Sequence, residues 1–401
     1  MPPKKTVEKV GPEVRFGRVK NNLRMGIVGL PNVGKSSLFN LLTSQSAPAE
    51  NFPFCTIEPN EARCPVPDAR YDFLCDLWKP PSTQPAFLLV TDIAGLIRGA
   101  SEGAGLGNNF LSHIQAVDGI YHVIRAFEDG DIVHVDDTVD PLRDLETIQM
   151  ELCKKDLEFV SKAVVAEEQA VRKAGGKYKL SPIFNATMDK VKTMLGESRP
   201  VIGETWTAAE VELINDKTAL ITTKPIIYLV NLSKADFLRK KNKWLGKIRA
   251  WIDAHGGGSL IPFSIDYEQE LWAAHEDAVK LQALITESGA SSALPKVITT
   301  GYKELNLIYF FTTGEKEVKA WTVYCGAAAP EAASVIHTDF QKAFVKAEVV
   351  SYEDYHAAGT KSMASVKAGG KYRIEGKSYI VKDGDIIYFQ IGTIAAPKVK
   401  K

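Results

Sequence analysis

The stretch that decides the fold is MGIVGLPNVGKSSLFNLL, Met25 to Leu42. A short apolar strand, MGIVG, runs into GLPNVGKS, Gly29 to Ser36, which fits G-x-x-x-x-G-K-[ST]. A helical pattern, SSLFNLL, follows. Strand, loop and helix in that order are the context a phosphate-binding loop requires. Gly29 and Gly34 let the backbone turn and aim its N–H groups, from Asn32 through Val33 to Ser37, at phosphate oxygens. The helix N-terminus adds a favourable dipole. Lys35 is a point charge for the β- and γ-phosphates, and the Ser36 hydroxyl is a ligand for Mg²⁺. Asn32 stands where many such loops have Gly or Ala. It is either a turn-former or a side-chain carbonyl that could hold a monovalent cation beside the phosphates.

Downstream, the buried run PAFLLVTD ends at Asp92 and continues as DIAGL, which fits D-x-x-G. A carboxylate at the end of a strand beside such a loop holds Mg²⁺ through water, and Gly95 can bring its N–H to the γ-phosphate. Between the two motifs lies NFPFCTIEP, where Thr56 is the candidate to close over the metal. The residue after D-x-x-G is Leu96, where Ras-like switches place a water-orienting Gln. Leu96 cannot hydrogen-bond water, so unaided turnover should be slow. Four glycines between Gly99 and Gly107 imply a mobile loop there.

The run KPIIYLV leads to NLSKAD, Asn231 to Asp236. In Asn-Lys-x-Asp the final carboxylate accepts from guanine N1–H and N2–H₂, whereas adenine presents an acceptor at N1. With Asn231 first, the acceptor position is Lys234, which cannot accept. A buried unpaired donor costs about 1–3 kcal/mol, so guanine would lose there, and the Asn231 amide could meet an adenine edge. The rival register Ser233-Lys234-Ala235-Asp236 offers Asp236 as the carboxylate. Residue chemistry alone leaves adenine and guanine both open.

The apolar runs MGIVG, PAFLLVTD, GIYHVIRAF, KPIIYLVN and SLIPFS alternate with helical patterns. This predicts a doubly wound, mainly parallel sheet with ligand loops at its carboxyl ends. The last run ends at Ser264, whose backbone could close over the base. Residues 140–222 interrupt the alternation. Leu145, Ile148, Leu152 and Phe159 keep helical spacing, as do Phe184, Met188, Val191 and Leu195, with KAGGKYKLSP as a turn between them. An inserted helical hairpin follows, its apolar residues forming the hairpin core. A third helix starts at the capping box Thr207 to Glu210. From about Asn306 short β runs form another domain. The divisions are a basic flexible tail (1–21), the nucleotide-binding domain in two parts (22–139 and 223–303), the helical insertion (140–222), the C-terminal domain (304–390) and a basic tail (391–401).

The chain has 401 residues, 45% apolar and 24% charged, with zero formal net charge. Nothing in that balance points to nucleic acid or a membrane. The five cysteines show no metal-ligand spacing, which fits ordinary free thiols in a reducing compartment. No apolar run approaches a membrane span. A cytoplasmic protein is expected.

Together, GLPNVGKSSLFN, NFPFCTIEPNE, DIAGLIRGASEGAGLGNNFLSHI, RAFED and VIHTDF resemble the YchF subfamily of Obg-related P-loop proteins, whose eukaryotic form is called Obg-like ATPase. The resemblance runs from about residue 22 to 390. It implies a GTPase-like fold (α/β, P-loop NTPase, G-domain-like) that prefers ATP, with Asn231 and Leu232 beside adenine. Position 234 would be Glu in that family and is Lys here. The resemblance also implies slow ATP hydrolysis, a nucleotide-dependent switch, a hydrolytic His falling on His134, and K⁺ stimulation at Asn32. The C-terminal domain would be a β-grasp TGS domain, with Lys342, Lys346, Lys367, Lys371, Arg373 and Lys377 as a basic face for RNA. The ribosome, through its large subunit, is the implied partner, and nuclear entry is left open beside the cytoplasm. Two other readings stand beside this one: a GTP-using translation factor reading guanine through Asp236, and a nucleotide-gated binding module with incidental hydrolysis.

Overall fold

The computed structural model describes residues 14–44, 60–93, 113–129, 138–175, 177–359, 361 and 363–393. Strands β1 (Arg24–Val28), β2 (Glu61–Pro65), β4 (Phe87–Asp92), β5 (Gly119–Arg125), β6 (Ile226–Asn231) and β7 (Ser259–Phe263) form one sheet in the order β2-β4-β1-β5-β6-β7. All pairs are parallel except β2 against β4. All seven residues of β5 are buried, as expected of a parallel strand covered on both faces. Ile27 pairs with Asp92, Val28 with His122, and Arg125 with Asn231, which pairs in turn with Phe263. The register therefore gathers the loops after β1, β4, β6 and β7 at one edge, the usual ligand edge of such sheets.

Helix α1 (Lys35–Ser44) follows the phosphate loop. Helix α2 (Ala69–Trp78) and strand β3 (Ser82–Gln84) come next, between β2 and β4. The insertion begins with helix α3 (Pro141–Lys173), capped by Asp140, whose carboxylate accepts from Leu142 N and Arg143 N, with Pro141 in the first turn. Its 33 residues make a rod of about 50 Å. Helix α4 (Phe184–Gly196) returns along it, and α5 (Ala208–Lys217) starts at the capping box of Thr207 and Glu210.

The insertion does not bury its apolar stripe as an isolated hairpin would. Leu145 packs with Tyr228 and Ile248, and Ile148 and Leu152 join the core of the nucleotide domain. Only from Cys153 onward does α3 share a core with Phe184, Met188, Val191 and Leu195. One long helix thus covers the sheet with its first turns and pairs with α4 further out. Asp156, fully buried on α3, fixes the junction. Its carboxylate accepts from Ile221 N at 2.8 Å, Thr222 N at 2.7 Å and Thr222 Oγ1 at 2.7 Å. Burial pushes it up to about 6 despite those donors.

The C-terminal sheet contains β8 (Leu307–Thr313), β9 (Glu317–Tyr324), β10 (Phe344–Val350), β11 (Arg373–Glu375) and β12 (Ile386–Ile391). Its order is β11-β10-β12-β8-β9-β3. The sixth strand, β3, comes from residues assigned above to the nucleotide domain, with Ser82, Thr83 and Gln84 pairing parallel to Glu317, Val318 and Lys319. Next to it, Asp68 caps α2 and accepts from Arg70 Nη2 at 2.7 Å, while the same nitrogen reaches Asp383 at 2.8 Å. Tyr309 on β8 also donates to Asp68. The boundary expected at residue 304 is therefore crossed by Ala69–Gln84.

The tail expected through residue 21 needs a correction as well. From residue 14 onward it is bound to the folded body: Arg18 Nε donates to Asp118 at 2.8 Å, Gly17 N to Asn215 Oδ1 at 3.0 Å, and Tyr324 N to Asn21 Oδ1 at 3.0 Å. Specific partners override its basic composition. Among the described residues no helix is long and apolar enough to cross a membrane.

Asp156→Ala strips the acceptor from two buried backbone N–H groups. It is expected to lower stability by about 3 kcal/mol, measured as a shift of the urea midpoint at constant slope. The raised carboxyl also fixes a pH trend: the folded state holds a proton that the unfolded chain has lost, so this group's contribution to stability declines as pH rises from about 4 to about 6. That decline should be absent in Asp156→Ala.

Candidate functional site: a nucleotide-binding P-loop

Backbone geometry builds the phosphate loop. Gly34 takes φ +105°, and a Cβ there would lie 2.2 Å from Ile265 Cδ1 and 2.9 Å from Asn231 Nδ2. A Cβ at Gly29 would lie 2.5 Å from the Val123 carbonyl. Both positions therefore need glycine, one for its dihedral and both for space. Asn32 takes φ +61°, a conformation that asparagine tolerates better than most residues. Val33 is buried, and Ser37 is half-buried in the first turn of α1.

Lys35 is buried, and its Nζ donates to the Leu30 carbonyl at 2.6 Å. Burial pushes its pKa down to about 8, with Asp92 pulling the other way. Ser36 Oγ lies 3.5 Å from Asp92 Oδ2. Burial raises the Asp92 carboxyl, offset by Lys35 and Ser36. A hydroxyl and a carboxylate side by side make a hard oxygen pair. That suits a Mg²⁺ ion that takes one or two protein oxygens and keeps its waters. Among the described residues no cluster of three His, Cys, Asp or Glu offers another metal site. Thr56, Gly95, Leu96 and His134 lie outside the described residues.

On the base side, Asn231 is 3% exposed. Its Nδ2 donates to the Val33 carbonyl at 3.1 Å, and its Oδ1 accepts from Ile265 N at 3.2 Å. Both ends of the amide thus tie the phosphate loop to the segment after β7. These bonds use one of the amide's two N–H groups and one of its two carbonyl lone pairs, so they do not displace the adenine-edge contact expected above. Leu232 is buried, and its N–H donates to the Phe263 carbonyl at 2.8 Å. Ser264 caps helix α8 (Ile265–Ala273), and among the described residues its buried hydroxyl has no partner.

Helix α6 (Lys234–Leu238) starts at Ser233, whose hydroxyl accepts from Asp236 N. Lys234 is ion-paired with Glu270 on α8. Asp236 is paired with Arg239 and accepts from Asn242 Nδ2 at 2.7 Å. The rival carboxylate is therefore held by its own neighbours. Sequence reasoning did not find the Asn231 clasp or the Glu270 pair. Val33 lies 198 residues from Asn231, and no local pattern marks either contact.

In the C-terminal domain, the expected basic face is partly neutralised. Lys371 lies 3.2 Å from Asp354, Arg373 lies 3.9 Å from both Glu375 and Asp385, and Lys367 sits over the Tyr372 ring. Lys342 and Lys377 remain exposed.

Comparison with known proteins agrees with this geometry. A family model described as "50S ribosome-binding GTPase" matches residues 24–162, and the YchF-GTPase C-terminal model, described as a protein of unknown function, matches 307–392. The chain is similar to "Obg-like ATPase 1" of Caenorhabditis elegans, 52% identical over 402 residues and covering all of both chains. It is similarly close to the Homo sapiens protein of that name, 52% identical over 407 residues and all of both chains. A solved structure of the Schizosaccharomyces pombe YchF GTPase superposes with a TM-score of 0.83 at 46% identity, covering 94% of this chain and 100% of that one. The chain belongs to the YchF family of Obg-like P-loop nucleotide hydrolases. In the YchF fold, a GTPase-like sheet carries a helical insertion and a C-terminal domain, as described above.

The low pKa of Lys35 gives nucleotide affinity a pH signature. Phosphate oxygens favour the ammonium, so a complex should keep a proton that the free protein loses above about pH 8. Triphosphate affinity is expected to be level below that point and to fall by up to roughly ten-fold per pH unit above it. Calorimetry in buffers of different ionisation enthalpy should show net proton uptake. Affinity unchanged across this range would contradict the assignment.

Proposed function

We propose that this chain binds Mg-ATP at the P-loop and hydrolyses it slowly to ADP and phosphate, acting as a nucleotide-dependent switch. The juxtaposition of Lys35, Ser36 and Asp92 on a Gly34-shaped loop supports the phosphate chemistry. Ser36, Thr56 and Asp92 would hold Mg²⁺. The ion would neutralise charge on the β- and γ-phosphate oxygens. Lys35 would exchange the Leu30 carbonyl for phosphate oxygens. Gly95 N–H would sense the γ-phosphate, and His134 would help position the attacking water, since Leu96 cannot. K⁺ at Asn32 would add positive charge beside the phosphates.

The preference for adenine rests on one observation above the others. The residue aligned with the guanine-reading carboxylate is Lys234, and its ammonium is paired with Glu270. Asp236, the other candidate acceptor, is engaged by Arg239 and Asn242. Guanine N1–H and N2–H₂ would meet no free carboxylate from either residue. With Asn231 anchored to the loop through one N–H and one lone pair, its other N–H, Leu232 and the Ser264 segment would line the base.

The description of the model matching residues 24–162, "50S ribosome-binding GTPase", points to the ribosome. We infer that the partner is the ribosome, through its large subunit. Contact would be made by the helical insertion and by the C-terminal domain, read as a TGS domain with RNA as its ligand. The protein is taken to act in the cytoplasm.

Titration calorimetry with Mg²⁺ should show ATP binding tighter than GTP by roughly ten-fold, the cost of an unpaired donor pair. Tighter GTP binding would overturn the base assignment. Co-sedimentation with ribosomes should retain more chain with a non-hydrolysable ATP analogue than with ADP. Equal retention would remove the switch reading while leaving nucleotide binding intact.

A further inference from the structure

A second cavity lies away from the phosphate loop, where the insertion meets the sheet. It encloses about 190 Å³ between His122 and Tyr228 on β5 and β6, Leu145 and Ile148 on α3, and Trp251, with Glu304 also lining it. Trp251 belongs to the helix Leu245–Ala254, α7. An apolar cavity of about 150 Å³ is enough to take benzene, so this space suits one or two fused rings.

Part of the wall is aromatic. His122 and Tyr228 lie 5.7 Å apart between ring centroids, and Tyr228 and Trp251 lie 6.3 Å apart at 79°. Trp251 is held in its plane by His255, stacked at 4.1 Å. His122 is 5% exposed, and among the described residues no hydrogen bond reaches its ring. Among the described residues the buried cavity-lining atom without a partner is Trp251 Nε1, and such a group is costly and rare. Burial, aided by Lys35, pushes the His122 pKa down to about 3, so the ring is neutral and offers one N–H and one lone pair.

We propose that this cavity is a binding site for a small neutral aromatic molecule of one or two rings, oriented by a hydroxyl or ring N–H that pairs with His122. The site is separate from the P-loop and does not rest on the choice of nucleotide. A ligand there would wedge between α3, α7 and the sheet, at the junction that sets the angle of the insertion.

The test uses the full-length chain, 2-naphthol as probe and naphthalene as a matched ring without the polar group. The indole N–H resonance of Trp251 should shift saturably with 2-naphthol and bind naphthalene roughly five-fold more weakly, the worth of one hydrogen bond. His122→Leu should erase that preference, with the melting temperature checked to show that the variant is folded. Ile148→Trp fills the space and should abolish binding of both. Excess Mg-ADP should leave the probe bound. The proposal is overturned if Trp251 shows no saturable shift, if His122→Leu keeps the five-fold preference, or if Mg-ADP displaces the probe. Should Ile148→Trp fail to fold, His122→Leu carries the test alone.

Discussion

One buried amide holds the nucleotide site together. Asn231 joins the Val33 carbonyl of the phosphate loop to the Ile265 N–H at the start of α8, at 3.1 and 3.2 Å. Gly34 makes this possible, because any side chain there would occupy the space of Ile265 and of the amide itself. Strand register then delivers the remaining parts: Asp92 pairs with Ile27 two residues before Gly29, and Asn231 ends β6, which β5 separates from β1. The loop is thus shaped before any phosphate arrives. That is the state in which backbone N–H groups bind anions with least reorganisation.

The same economy explains how the outer parts connect to that site. The segment between β2 and β4 leaves the nucleotide sheet as α2, completes the C-terminal sheet as β3, and returns as β4, which ends at Asp92. Asp68, Arg70, Tyr309 and Asp383 lock this excursion by charge-assisted hydrogen bonds. The metal-side strand and the C-terminal domain therefore share continuous chain on one side. On the other, α3 spans from the sheet core to the tip of the insertion, with Asp156 pinning it to residues 221 and 222. Both appendages are mechanically continuous with strands whose ends meet at the phosphate loop.

The phosphate loop was legible in the sequence because its physics is local. Two glycines, a lysine and a serine at fixed offsets serve one turn. The parallel strands were legible as uninterrupted apolar runs. What could not be read depended on distant partners. Ser82–Gln84 is three residues long with no apolar alternation, so only its pairing with β9 makes it a strand. Helical spacing at Leu145, Ile148 and Leu152 announced a buried face but not what buries it, and the sheet took the place assigned to the hairpin. Asn231 was legible as a site residue, yet its partners Val33 and Ile265 are set by the tertiary fold. His122 sits inside a strand pattern, where nothing in the sequence distinguishes it from a packed core residue.

The most direct measurement is a crystal structure of the chain with Mg²⁺ and a non-hydrolysable ATP analogue. The account predicts that Lys35 Nζ leaves the Leu30 carbonyl for the β- and γ-phosphate oxygens and that Ser36 and Asp92 flank the metal. It also predicts that Asn231 keeps both its bonds, to Val33 and to Ile265. Phosphates bound elsewhere with Lys35 still on Leu30, or an Asn231 amide turned from Val33 onto the base, would contradict it.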